Sequence, residues 1–146
     1  MSAFLEAIHQ RILDADIGTE PDYDEITPFG VYIERMPKEA THGTLITQRP
    51  EGSRVDHTSF GYLRTRIRVT CRGTQYAEVH ERMHAVMRAM ELTACPETIE
   101  GVLFFELRAE TAPATSPLSE GGLIESSIVV RVAYGSDYTY EGDVCC

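Results

Sequence analysis

Two groups of side chains in this sequence have the types and spacing to do chemistry. The first, His80-Glu81-Arg82-Met83-His84, fits H-E-x-x-H. On a helix the two imidazoles face the same way, one turn apart, and can hold a zinc ion while the glutamate polarises a water molecule. Read literally, this is a small zinc metallopeptidase with a third ligand supplied from downstream. Three features weigh against it. Arg82 stands where such helices usually carry an apolar residue, and it would bring a cation near a dication. No histidine follows His84, so the third ligand would have to be a carboxylate such as Glu100 or Glu106, or a cysteine. The chain also leaves no room for a substrate-binding lobe.

The second group is a row of arginines. Arg64, Arg66, Arg68 and Arg72 share one face of a strand whose other face reads Leu63, Thr65, Ile67, Val69, Cys71. Guanidinium groups favour bidentate pairing with carboxylates, so the row reads as a docking face for an acidic partner. Arg49 and Arg54, in the polar stretch just upstream, join it as interface candidates, and Arg131 can join from the last strand. The bland alternative is cross-strand pairing with Glu34, Glu106 or Glu125.

Nothing else spells out a reaction. There is no Gly-rich phosphate loop and no G-x-S-x-G elbow. Cys71, Cys95, Cys145 and Cys146 lack the spacing of a zinc finger or a C-x-x-C motif, and Cys71 reads as a small core residue. The acidic run from Thr19 to Pro28 lacks the glycine and glutamate positions of a calcium loop and reads as a solvated connection. The expectation is therefore no catalytic residue, no metal ion, no cofactor and no enzymatic activity.

The elements that position these groups follow from periodicity. The alternation from Leu63 to Arg72 has one apolar and one wet side, which fits an antiparallel sheet covered on a single face. It runs through Gly73 into a helix with Thr74 as N-cap and Tyr76, Val79, Met83, Val86, Met87 and Met90 facing the core. Glu78 is placed to meet Arg82 one turn later. Ala3 to Ile17 is a first helix, with Phe4, Leu5, Ile8, Ile12 and Leu13 inside, ending at Gly18. Val31 to Met36 and Thr44 to Gln48 read as two paired strands, Gly101 to Glu110 as a strand alternating Leu103, Phe105, Leu107 against Phe104, Glu106, Arg108, and Leu123 to Tyr134 as the last. Arg49 to Ser59 and Thr111 to Gly122 read as long loops suited to contacts.

This predicts an α+β fold: a mainly antiparallel sheet of four or five strands with two helices packed on one face. Residues 1–135 would form a single domain and 136–146 an acidic, flexible tail. At 146 residues the chain is the size of one domain, and a net charge of -10 argues against general nucleic-acid binding. No apolar run reaches the roughly 20 residues that span a bilayer, and the N-terminus lacks the pattern of a signal peptide, pointing to cytoplasmic synthesis.

The order of elements, with Arg66-Ile67-Arg68-Val69-Thr70-Cys71-Arg72-Gly73-Thr74-Gln75-Tyr76-Ala77-Glu78, resembles the tail-terminator or tail-completion proteins of tailed bacteriophages, often labelled minor capsid proteins. Their signature is a strand ending in Arg-Gly, then a few residues, a Tyr and a helix. The resemblance implies a virion protein of the neck or tail. It would form a homo-oligomer, a closed hexameric ring, that stops growth of the tail tube and joins the tail tube protein to the head-tail connector. DNA would pass through its channel without sequence-specific binding, and no membrane would be involved. A monomeric ligand-binding domain remains the other alternative to the peptidase.

Overall fold

The computed structural model describes residues 3–21, 28–48, 54–55, 62–94, 96–117 and 122–135. Arg49, the acidic run at 22–27, Cys95 and the proposed tail at 136–146 lie outside the described residues, as does most of the loop at 49–59. In chain order the elements are α1 (Ala3–Asp14), β1 (Gly30–Ile33), β2 (Gly43–Gln48), β3 (Arg54–Val55), β4 (Tyr62–Gly73), α2 (Tyr76–Ala89), β5 (Glu97–Ile99), β6 (Val102–Ala109), β7 (Ala114–Pro117) and β8 (Ile124–Gly135).

The α+β class holds, but the sheet is larger than the expected four or five strands. Eight strand segments form one sheet in the order β1-β2-β4-β8-β6-β5, with β3 added to β4 and β7 added to β8. The spine is the antiparallel pair β4 and β8, in register from Tyr62 opposite Gly135 to Gly73 opposite Ile124. Both supposed loops contribute short strands: β3 pairs with the start of β4, and β7 forms a ladder with Ser127 to Ile124 of β8.

The sequence predicts β1 and β2 as partners within a mainly antiparallel sheet; they pair, but in parallel, Gly30 opposite Gly43 and Ile33 opposite Ile46. A left-handed Glu34, φ 71°, breaks β1 ahead of the expected end at Met36 and turns the chain back. The return segment is then held by Arg72, whose Nη1 donates to the carbonyls of Pro37 (3.2 Å) and Ala40 (3.0 Å).

Sequence alternation also misplaces one face of β6. Phe104, not Phe105, is buried, together with Leu107. A β-bulge lies between Phe104, opposite Tyr134, and Glu106, opposite Ala133. The extra residue shifts the alternation by one, so Phe104 and Leu107 reach the same side. The short β5 was hidden by Cys95-Pro96; it is a hairpin partner of β6 through Glu100 (φ 49°) and Gly101 (φ 79°), the positive-φ pair of a type I′ turn.

One hydrophobic cluster unites the inner sheet face with both helices. Ile67, Val69 and Cys71 of β4 and Ile128, Val130 and Val132 of β8 meet Leu5, Ile8 and Ile12 of α1 and Val79, Met83 and Val86 of α2. The ring of Phe4 stacks on Tyr134 at 4.3 Å. Each fully buried side chain of this size contributes about 1.5–3 kcal/mol before the entropy of ordering is subtracted. Helix α1 stops at Asp14, and Asp16 (φ 61°), rather than Gly18, takes the left-handed position after it.

At the junction of β4 and α2 the chain turns so tightly that a Cβ on Gly73 would lie 2.6 Å from Cγ2 of the buried Val79. The expected cap at Thr74 is not formed: Gln75 is the N-cap, in extended conformation and without a side-chain cap bond. Helix α2 is fixed instead by its buried stripe and by Arg82, whose Nη1 donates to the Arg72 carbonyl (3.3 Å) and Nη2 to Glu78 (3.2 Å). The Glu78 to Arg82 pair is the one the spacing predicts.

Candidate interaction face

The outer face of the sheet gathers the arginines. On β4, Arg64, Arg66 and Arg68 are exposed while Thr65, Ile67 and Val69 are buried. Register then sets three guanidinium-bearing positions abreast: Arg66 stands opposite Arg131 of β8, and Arg131 opposite Arg108 of β6. Adjacent strands are about 4.8 Å apart and alternate residues along a strand about 6.7 Å, so these side chains form a patch. Ala133, between Arg64 and Glu106 on that face, is only 1% exposed, so longer side chains cover it.

Like charges directly opposite destabilise a sheet, and two carboxylates relieve this in part. Arg66 Nε lies 2.8 Å from Glu110 and Arg131 Nε 3.4 Å from Glu106. With arginine side chains 45% and 44% exposed, each pair is worth about 0–1 kcal/mol. Among the described residues no carboxylate pairs with Arg68 or Arg108. Among the described residues, the four arginines Arg66, Arg68, Arg108 and Arg131 thus share two glutamates, in a chain whose net charge is -10. Such a surface suits planar, multivalent anions, above all carboxylates of another protein surface.

Arg72 leaves this group. Its side chain is 14% exposed and held by Glu125 (3.0 Å) and the two carbonyls of the β1–β2 connection, which makes it a structural clamp. Arg54 lies on β3 with its backbone opposite Arg64, and Arg49 is outside the described residues. Arg108 and Glu110 were missed as members of the face. Arg108 had the right alternation, but the bulge in β6 is what sets it beside Arg131.

The histidine motif sits elsewhere, on α2. The Nε2 atoms of His80 and His84 are 3.0 Å apart, His84 is exposed, and Tyr76, expected in the core, is 58% exposed with its ring stacked on His80. Tyr76, His80 and His84 follow one another at four-residue steps, along a shoulder of the buried stripe. Arg82 occupies the opposite shoulder, with its guanidinium 4.5 Å from the Phe29 ring centroid. Among the described residues no group of three or more His, Cys, Asp or Glu side chains converges as a metal site.

Two other features bear on chemistry. Burial pushes the Cys71 thiol up to about 11, although contacts with Thr44 and the charge of Arg82 pull the other way, so it stays protonated and inert near neutrality. A groove of about 460 Å³ beside α1 is lined by Glu6, Glu20 and Glu100 with His9, whose Nε2 donates to the Val31 carbonyl at 2.7 Å. No described helix is long and apolar enough to cross a membrane.

A solved structure shares this fold. It is a chain of the virion of a native gene transfer agent particle, alike at a TM-score of 0.58 and 12% identity over 93% of this chain and 100% of that one. At that identity the likeness is one of fold. No family model and no curated protein sequence matches the chain.

Proposed function

We propose that the chain is a non-enzymatic structural protein of a phage-like virion, made in the host cytoplasm and acting in the neck or tail. In this reading it forms a closed homo-hexameric ring that ends the tail tube and joins it to the head connector. The observation that carries the reading is the fold shared along 93% of the chain with a component of a gene transfer agent virion. The Arg66 to Glu78 segment, with its Arg-Gly strand end, Tyr76 and helix, supports the finer assignment by resemblance to tail terminators.

A ring of identical subunits needs two different complementary surfaces on each copy. The cationic outer sheet face is one, in a chain acidic elsewhere, and carboxylate-rich surface on the adjoining subunit is its complement. An acidic remainder would let DNA slide through the channel without gripping it. Electron microscopy of the purified protein tests this: rings with six-fold averages and a central hole are expected. A featureless field of single small particles at every concentration tried would contradict it.

A further inference from the structure

We propose that His80 and His84 form an open chelate for a late first-row divalent cation, taking Cu²⁺ and Ni²⁺ ahead of Zn²⁺. This does not depend on the virion reading. The two side chains already bring their Nε2 atoms together: Nε2 to Nε2 is 3.0 Å, with the rings edge to face at 76° and centroids 4.4 Å apart. Without a metal, one imidazole must donate and the other accept. With both rings protonated on Nδ1, the two Nε2 lone pairs are free to take a cation in place of that shared proton.

The separation is within reach of a metal bite. With metal–nitrogen bonds of about 2.1 Å, two ligands in cis positions at 90° stand about 3.0 Å apart, whereas tetrahedral ligands stand about 3.4 Å apart. Small side-chain rotations reach either spacing, so the order of ions follows from affinity: Cu²⁺ and Ni²⁺ lead for nitrogen donors. Stacking of Tyr76 on His80, 5.6 Å between centroids and 14° between planes, holds one ligand in place.

The objection raised by the sequence also falls away. Arg82 does not face the pair, because its guanidinium is held on the other shoulder of α2 by Glu78 and the Arg72 carbonyl. The chelate differs from a peptidase centre in being on the surface, with remaining coordination positions filled by water. Glu81 is exposed beside it and is not needed for binding.

The test is titration of metal-freed protein with NiCl₂ by calorimetry, alongside imidazole proton NMR. One nickel site per chain should broaden the His80 and His84 ring signals first. His80→Ala and His84→Ala should each weaken that site about a hundredfold, since losing one arm of a chelate removes its effective-concentration advantage. His42→Ala should leave it unchanged. Repeating the titration with CuCl₂ and ZnCl₂ should give the order Cu²⁺, Ni²⁺, Zn²⁺. Circular dichroism of each variant distinguishes lost ligands from lost fold, and both positions are on the helix surface, so the fold should survive. The proposal is overturned if nickel affinity is the same in both histidine variants as in the parent, if other resonances broaden while those of His80 and His84 do not, or if no nickel binds.

Discussion

Arg66 and Arg131 stand directly opposite one another on β4 and β8, two cations at a cross-strand position that ordinarily favours opposite charges. Arg108 extends the row to β6, and the nearest carboxylates, Glu106 and Glu110, are too few to balance it. A fold optimised as an isolated monomer would gain by replacing one of the three. Under the proposed assembly, the face is explained by what it meets rather than by what it holds together. Arg66→Thr or Arg131→Thr should therefore leave stability within about 0.5 kcal/mol of the parent or raise it. Urea unfolding checks this, and a loss above about 1.5 kcal/mol would show that the row is structural.

Arg72 should behave differently from its neighbours on β4. Its guanidinium satisfies the carbonyls of Pro37 and Ala40 and pairs with Glu125 at low exposure. Arg72→Ala is expected to cost about 2–3 kcal/mol, because charged hydrogen bonds are lost and carbonyls left without donors. Arg68→Ala, on an exposed position, should stay within about 0.5 kcal/mol. Equal effects from the two substitutions in chemical denaturation would dissolve the distinction drawn between clamp and contact residue.

The strand–helix corner offers a steric test. A methyl group on Gly73 would be 2.6 Å from Cγ2 of Val79, a side chain that is itself fully buried. Gly73→Ala should destabilise by about 1–3 kcal/mol, and the double substitution Gly73→Ala with Val79→Ala should be less destabilising than the sum of the two single changes. Additive losses would mean that the corner relaxes freely.

How much of this was legible in the sequence depends on which forces act locally. The alternation from Leu63 to Arg72 is a local signal, and every inner position from Thr65 to Cys71 is buried as it predicts. The burial of Phe104 in place of Phe105 was not legible, since one bulge inverts the alternation without any glycine or proline to mark it. Nor was the parallel pairing of β1 and β2, which rests on a left-handed Glu34 and on Arg72 reaching across from β4. The Glu100-Gly101 turn had a usable local signal, a glycine at the second turn position. For the candidate face, strand periodicity revealed the β4 members. Arg108 and Arg131 became neighbours only through register.

Cys71 gives a prediction in pH. Desolvation raises its folded-state value from 9.0 to about 11, so the folded chain holds the thiol proton more tightly than the unfolded chain. Stability from this group is fully present below about pH 9 and is lost as pH rises towards about 11, up to about 2–3 kcal/mol. Measured between pH 8 and pH 11, the stability of the parent should fall more steeply than that of Cys71→Ala, whose other titrating groups are the same. Parallel profiles for the two proteins would rule the thiol out as the source.

The central claim, that the cationic sheet face is an assembly surface, is tested most directly by native mass spectrometry of the parent beside Arg66→Glu with Arg68→Glu. Charge reversal at exposed positions acts mainly on association. The parent should appear at six times the 16.3 kDa chain mass, and the double variant as monomer or smaller oligomers with an unchanged circular dichroism spectrum. A parent that is monomeric throughout, or a variant that keeps the parent's oligomer, would contradict the account.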